Sequence, residues 1–243
     1  MENDAVLNDL IESKHLRECN YSFVHYDSLD ERGIDVALLY DNTRFEVTHS
    51  ETFSVHLVDD DGSPDYTRDA LLVTGLLENE EIHVIVNHWP SRREGANETE
   101  NKRLLASNNV SEIIDGLRQQ NANAKIITLG DFNDDPTCNS VLQLVRGQDL
   151  FNPMEKLLSY SRGSTSHDFK WNLFDQIIFT KNFFETVPNT FSYEQANIFD
   201  DDLLKLFNGK YKGTPFRTYV GKKYKGGYSD HFPVYAILKK HVI

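Results

Sequence analysis

Basic residues are scarce in this chain of 243 residues, which has 25 Lys and Arg against 38 Asp and Glu and a formal net charge of −13. Binding along a nucleic acid needs many cations against its phosphates, so this balance argues against a protein that holds nucleic acid on a broad basic surface. It leaves open an enzyme that acts on one phosphate at a time, because a bound metal ion reverses the charge of a carboxylate-rich site.

Long apolar runs and cysteines are also rare. No run reaches the roughly 18 apolar residues that a membrane span needs, and the first ten residues lack the apolar stretch of a signal peptide. Cys19 and Cys138 are far apart and lack metal-binding spacing, which leaves either one disulfide or two free thiols. We therefore expect no membrane span, and the compartment stays open between cytoplasmic and secreted.

The hydrophobic pattern predicts strands that come both as hairpins and between helices. A first helix is predicted after Asn3 or Asp4, with an apolar stripe of Val6, Leu7, Leu10 and Ile11. Strands are predicted at residues 34–40, 45–47, 52–58, 70–77, 82–87, 125–129, 174–180 and 232–238. Helices are predicted at residues 98–119 and 138–146, the first with Leu104, Leu105, Val110, Ile113, Ile114 and Leu117 facing inward. Segment 183–225 has no clear pattern, and the whole favours one layered α/β domain over residues 1–243.

Polar residues follow several of the predicted strands, where loops anchored on a sheet commonly form sites. The first such segment, Asn-His-Trp-Pro-Ser-Arg, runs from Asn87 to Arg92. His88 can transfer a proton near neutral pH, and Asn87, Ser91 and Arg92 are candidates for binding a phosphate oxygen. A purely structural hydrogen-bonding role explains a lone His88 as well.

The second segment, Gly-Asp-Phe-Asn, contains Asp131 and Asn133. Residues two apart on an extended backbone share a face, so we expect both side chains to point the same way. Asp131 can bind a hard cation or align a water molecule, and Asn133 can donate to a phosphate oxygen. A capped turn ahead of the next helix explains the same residues equally well.

The third and fourth segments are complementary. Asp175 lies inside the apolar run Phe-Asp-Gln-Ile-Ile, where a carboxylate needs a partner. Asp230 and His231 are adjacent in Ser-Asp-His-Phe-Pro-Val. We expect His231 to pair with Asp175 and Asp230 to be a metal ligand.

Taken in this order, the four segments resemble the endonuclease/exonuclease/phosphatase superfamily, and residues 32–40, Arg-Gly-Ile-Asp-Val-Ala-Leu-Leu-Tyr, fit it too. The resemblance covers residues 2–234. It implies a deoxyribonuclease I-like, four-layer α/β/β/α sandwich and an Mg²⁺-dependent phosphoric ester hydrolase, with Mn²⁺ or Ca²⁺ as other possible ions.

The resemblance also implies roles for individual residues. His88 would contact phosphate and act as general acid, and Asp131 would orient or deprotonate the attacking water. Asn133 would hold the scissile phosphate. Asp175 would pair with His231, which would act as base or transition-state stabiliser.

The remaining implied residues bind metal and phosphate. Asp230 and Asp131 would bind the metal, and Arg68 falls where a phosphate-binding arginine is expected. The chain departs from the family at its start, where two strands and the principal metal-binding glutamate are expected before Met1, so we expect it to be N-terminally truncated. Glu2 would then have to substitute as the metal ligand.

Several functions remain compatible with these residues. The sequence favours hydrolysis of a phosphodiester by in-line attack of water, as in a nuclease, and the partner would be the phosphate ester, with nucleic acid as one possibility. A small-molecule or lipid phosphatase of the same fold is the first alternative. A catalytically impaired domain that binds phosphate or a protein is the second, although the residues indicate no particular protein partner.

Overall fold

Strands outnumber helices in the computed structural model, which describes residues 2–58 and 61–242. The α-helices of these ranges are α1 (Asp4–Ile11), α2 (Glu100–Gln120) and α3 (Asn139–Gly147). The strands are β1 (Tyr21–His25), β2 (Ala37–Asp41), β3 (Phe45–Phe53), β4 (Leu57–Val58), β5 (Pro64–Asp65), β6 (Ala70–Leu77), β7 (Glu80–His88), β8 (Ile126–Asp131), β9 (Leu150–Phe151), β10 (Thr165–His167), β11 (Lys170–Asn172), β12 (Asp175–Thr180), β13 (Phe191–Ile198), β14 (Tyr219–Val220), β15 (Lys223–Tyr224) and β16 (Val234–Lys240).

The central sheet has six strands in the order β3-β6-β7-β8-β12-β9. β6 and β7 form a hairpin whose turn residues, Glu78 and Asn79, both have positive φ, as a tight hairpin turn with two left-handed residues requires. β7 and β8 are parallel and are connected through α2, whereas β8 and β12 are antiparallel. The carboxyl ends of β7 and β8 therefore meet the amino end of β12 at one rim of the sheet.

Helices α2 and α3 cover one face of this sheet. Val110 and Ile114 of α2 and Leu144 of α3 are buried in one apolar cluster with Ile85 and other sheet residues. Leu105 is 39% exposed, so the prediction that it faces inward is wrong. The buried stripe of α2 is centred elsewhere on the helix, and Leu105 falls at its solvent edge.

Two strand pairs, β1–β2 and β13–β16, cover the opposite face. Val24 and Leu38 of the first pair and Leu238 of the second pack against the buried cluster that contains Val84 and Val86 of β7. The two sheet layers are thus held together by apolar side chains, because alternate residues of each strand point into the space between them.

Helix α1 forms the outermost layer, beside β1. The Asn3 side chain caps it by accepting a hydrogen bond from the backbone N–H of Val6 (3.2 Å), and Leu7 is fully buried. Val6 and Leu10 are 37% and 40% exposed, so the buried stripe is narrower than predicted. The layers follow the order α/β/β/α, and the predicted mixed α/β fold is confirmed.

Other differences concern strand boundaries. The predicted strand at 45–47 and the first two residues of the one at 52–58 belong to one strand, β3, which has a bulge between Val47 and His49. Residues 54–56 are not in a strand, and residues 57–58 form β4. β1 and β13 have no predicted counterpart. Cys19 and Cys138 are both free thiols. None of the described helices is long and apolar enough to cross a membrane.

Candidate active site

Three polar side chains lie next to one another on adjacent strands at the rim of the central sheet. His88 pairs with Asp131 across β7 and β8, and Asp131 pairs with Asp175 across β8 and β12. The residues two positions away on each strand line the apolar layer between the sheets, so strand alternation puts all three polar groups on that side. His88 Nε2 and Asp131 Oδ2 are 3.6 Å apart.

His231 joins this row from the loop before β16. Its Nδ1 donates to Asp175 Oδ2 at 2.7 Å, which fixes the tautomer and the orientation of the ring. A backbone bridge to Thr165 holds His231 in place, and the Thr165 hydroxyl donates to the Asp230 carbonyl at 3.0 Å. The expected contact between Asp175 and His231 is therefore present.

The two imidazoles have opposite surroundings. Burial lowers the pKa of His88, and the charges of Arg68 and Arg32 lower it further, to about 3. Burial also lowers the pKa of His231, but the hydrogen bond and charge of Asp175, with two further carboxylates, raise it to about 9. The lowered pKa favours the neutral form of His88, and the raised pKa favours the charged form of His231. The expected roles of His88 as general acid and of His231 as base or transition-state stabiliser stay predictions.

Asp131 lies between the two histidines. Burial raises the pKa of Asp131, and the neighbouring Asp175 carboxylate raises it further, to about 6. A carboxyl group with a pKa close to neutral can take up and release a proton under physiological conditions, which fits the expected role towards water.

Asn133 reaches the site through a turn rather than along a strand. Its φ is 49°, so the backbone is not extended there, and the reason for expecting Asp131 and Asn133 on one face is wrong. Its backbone N–H donates to Asp131 Oδ1 at 2.8 Å, and its Nδ2 donates to the Trp89 carbonyl at 2.9 Å. The turn places Asn133 beside Asp131, in a conformation that Asn adopts more readily than most residues.

Arg68 is anchored beneath the same rim. Its Nη1 donates to Asp30 Oδ1 at 2.9 Å and its Nη2 to the Trp89 carbonyl at 3.0 Å. With Ser91 and Arg93, it lines a cavity of about 230 Å³. Acidic residues, among them Glu31 and Glu94, line the same cavity, so its charge is mixed. The sequence did not predict a role for Asp30, because no local pattern links it to an arginine 38 positions later.

Two predicted phosphate ligands have hydrogen-bond partners within the protein. Asn87 alternates with His88 on β7 and points towards the helix-covered face, where its Nδ2 donates to Thr128 Oγ1 at 2.7 Å. The Arg92 guanidinium pairs with the buried Asp134. In this structure both side chains are paired with buried groups of the protein, and the prediction that they bind phosphate stays a prediction.

The predicted metal ligands are only partly brought together. Asp230 is next to His231 in sequence and contributes to its raised pKa, and Asp131 lies in the row. Both offer the oxygen donors that Mg²⁺ prefers, and the carboxylate charge around Asp131 fits a cation. Glu2 is exposed, and among residues 2–58 and 61–242 these three side chains do not form a compact ligand group.

A comparison with protein families decides the identity of the fold. The model of the "Endonuclease/Exonuclease/phosphatase family" matches residues 1–240. The chain belongs to the endonuclease/exonuclease/phosphatase family. The resemblance of its four segments is thereby confirmed. A search of the curated proteins finds no match.

Solved structures of endonuclease/exonuclease/phosphatase proteins share the fold. A mannosyl-6-phosphatase of Bacteroides thetaiotaomicron has a TM-score of 0.57 at 18% identity, over 95% of this chain and 82% of that one. The human Nocturnin catalytic domain with bound sulfate has a TM-score of 0.59 at 16% sequence identity, over 96% of this chain and 75% of that one. TDP2 of D. rerio, complexed with single strand DNA product, has a TM-score of 0.58 at 12% sequence identity, over 97% of this chain and 82% of that one. At these identities the likeness shows the fold alone, and the expected N-terminal truncation stays a prediction.

Proposed function

We propose that this member of the endonuclease/exonuclease/phosphatase family hydrolyses a phosphate ester by in-line attack of water, with a phosphodiester as the first substrate class. The observation that supports the proposal is the row of His88, Asp131 and Asp175, completed by His231. Two imidazoles and two carboxylates within one rim provide the proton-transfer and charge-stabilising groups that such a reaction needs.

Each residue has a separate task in this mechanism. Asp131 aligns the attacking water and accepts its proton as the new P–O bond forms. The bond from phosphorus to the ester oxygen breaks, and the leaving oxygen takes up a proton from solvent. Asp175 holds the His231 ring, and the positive charge of His231 stabilises the charge that develops on the phosphoryl oxygens. Neutral His88 and the Asn133 amide hydrogen-bond to the phosphate. Asp131 and Asp230 would hold a divalent cation, with Mg²⁺ preferred over Mn²⁺ or Ca²⁺, which would neutralise charge on the phosphate.

The test is the variant His231→Ala. We expect its turnover of bis(p-nitrophenyl) phosphate with Mg²⁺ to fall by about 10²–10⁴-fold, because it loses the charged group of the row. The matched control is His49→Ala, which removes an exposed histidine of β3 and should retain the wild-type rate. A chelator should abolish wild-type turnover and added Mg²⁺ should restore it. Near-wild-type turnover by His231→Ala contradicts the proposal.

A phosphomonoesterase is the second candidate. The net charge of −13 disfavours a long polyanion as substrate, whereas a small monoester carries few phosphates. The fold is also that of a mannosyl-6-phosphatase. The kcat/KM for p-nitrophenyl phosphate divided by that for bis(p-nitrophenyl) phosphate distinguishes a monoesterase from a diesterase. A ratio well above one assigns the chain to the phosphatases.

A catalytically impaired binding domain is the candidate from another class. The exposed position of Glu2, away from a compact ligand group, favours it, since one expected metal ligand is then lacking. The same assays test it. Retained binding of inorganic phosphate, measured by calorimetry, with no Mg²⁺-dependent release of p-nitrophenol from either ester, identifies a binding domain.

A further inference from the structure

A second group of potential ligands lies outside the catalytic row. His25 ends β1, and Asp27 and Asp35 belong to the connection between β1 and β2. One ligand atom from each lies within 4.8 Å of the other two. No other residues among 2–58 and 61–242 form such a group of three histidine, cysteine or acidic side chains.

His25 is oriented as a metal-binding imidazole. Its side chain is 2% exposed, and its Nδ1 lies 2.6 Å from Asp4 Oδ1, which places the ring proton on Nδ1. Nε2 is buried and has no hydrogen-bond partner among the described residues. Nε2 lies 3.4 Å from Asp35 Oδ2, so the two potential ligand atoms face each other.

The same distance fits a shared cation. Two ligand atoms with metal bonds of about 2.0–2.1 Å at a tetrahedral angle are about 3.3–3.4 Å apart. Asp35 is held in this orientation, because its Oδ1 accepts from the backbone N–H (2.8 Å) and the hydroxyl (2.6 Å) of Ser28. Asp27 is exposed, so its carboxylate can rotate to complete the site.

We propose that His25 Nε2, Asp35 Oδ2 and the Asp27 carboxylate bind a divalent transition-metal cation of the Zn²⁺ class, with water in the remaining position. An imidazole ligand favours Zn²⁺ over Mg²⁺, which prefers oxygen donors only. Asp4 completes the arrangement in which a metal-binding histidine donates its other ring N–H to a carboxylate.

The cation has a structural consequence. The cation connects β1 to the residues that lead into β2. The contact of Asp4 with His25 also links the first turn of α1 to this site. The same connection carries Asp30, which binds Arg68 below the row of His88. The site therefore braces one wall of the candidate active site without contributing a ligand to the reaction, and it does not depend on the proposed function.

The test measures binding and not activity. The metal-free full-length chain is dialysed against Zn²⁺ in the presence of excess Mg²⁺, so that Mg²⁺ occupies sites made of oxygen donors only. The zinc that remains bound is then quantified by atomic emission. We expect one Zn²⁺ per chain, and an affinity at least about tenfold lower in His25→Gln and in Asp27→Asn. Asp27 is exposed, so its variant tests the site even where the loss of His25 impairs folding.

The matched control is His49→Gln, which removes an exposed histidine that also faces a carboxylate, Glu51, at 3.1 Å. It should bind Zn²⁺ as the wild type does. Co²⁺ in place of Zn²⁺ should give a visible absorption band that Asp27→Asn lacks. The proposal is overturned by equal Zn²⁺ affinity in the wild type and either cluster variant, or by displacement of Zn²⁺ with Mg²⁺.

Discussion

The hydrogen bond from His231 to Asp175 is the most specific contact of the candidate site. Asp175→Asn keeps the shape of the side chain but removes its charge and offers the ring a donor as well as an acceptor. We expect kcat to fall by about 10²-fold or more, with a smaller change in KM, because the imidazole loses its orientation and stabilised charge. Steady-state kinetics on the diester measure this, and an unchanged kcat contradicts the positioning role.

The buried pair of Asp30 and Arg68 predicts a pH dependence of stability. Burial raises the pKa of Asp30, but the Arg68 hydrogen bond and charge and two backbone N–H groups outweigh burial, so this pKa is lowered. A carboxyl group with a depressed folded-state pKa contributes stability above its unfolded pKa of about 3.9. That contribution is lost as the pH falls from about 4 towards the folded-state value.

We therefore expect Asp30→Asn to lower the free energy of unfolding by about 3 kcal/mol at neutral pH, because it leaves a buried Arg68 without its counter-charge. The difference from the wild type should shrink below about pH 4. Urea unfolding of the variant and the wild type, at neutral pH and below about pH 4, measures this difference in free energy. Asp202→Asn, at a side chain that is 98% exposed, is the control. A difference that grows in acid would falsify the assignment.

At the scale of elements, the pairing of β7 with β8 depends on Gly130. Its φ is 131°, and a Cβ at this position would lie 1.9 Å from the Asn87 carbonyl oxygen. We expect Gly130→Ala to cost at least about 3 kcal/mol of unfolding free energy, from backbone strain and from this contact. It should also lower activity, since His88 and Asp131 end the same two strands.

Gly116→Ala is the matched control for that substitution. Gly116 lies within α2, and a Cβ added there would meet nothing within 4 Å. The extra methyl group should stabilise the protein by about 1 kcal/mol, through helix propensity alone. Thermal unfolding of both variants measures the contrast, and equal effects at the two glycines refute the argument from strand pairing.

Elements with strong periodicity were predictable from the sequence. The long apolar runs of β6 and β7 and the stripe of α2 carry their own signal, and their ends agree with the structure within a few residues. β1 and β13 were not predictable in the same way. β1 is short and lies 11 residues before its partner β2, and β13 pairs with β16 from a distant part of the chain, so tertiary pairing decides both.

The same limit applies to the candidate site. The strand pattern singled out His88, Asp131 and Asp175, and the structure places the three on adjacent strands, because their position depends on local alternation. The sequence does not reveal that the backbone of Asn133 adopts a left-handed conformation, or that the Arg92 side chain forms an ion pair with Asp134. Such facts depend on partners that only the folded chain brings together.

At the scale of the whole molecule, the net charge of −13 predicts weak binding to duplex DNA. We expect a dissociation constant of about 10⁻⁶ M or weaker at physiological salt, the range of non-specific binding, because few cations are available to replace counter-ions. Fluorescence anisotropy with a labelled duplex measures it. Tight binding that persists at high salt contradicts this expectation and favours a dedicated DNA enzyme.

The three polar groups of the rim occupy consecutive strands, and neighbouring strands are about 4.8 Å apart. Peptide hydrogen bonds between the strands, and not a flexible connection, therefore set the distances between these three groups. Insertions and deletions in the surrounding loops can change the shape of the rim while these distances stay constant. A family built in this way can acquire new substrates during evolution without having to reassemble its chemistry.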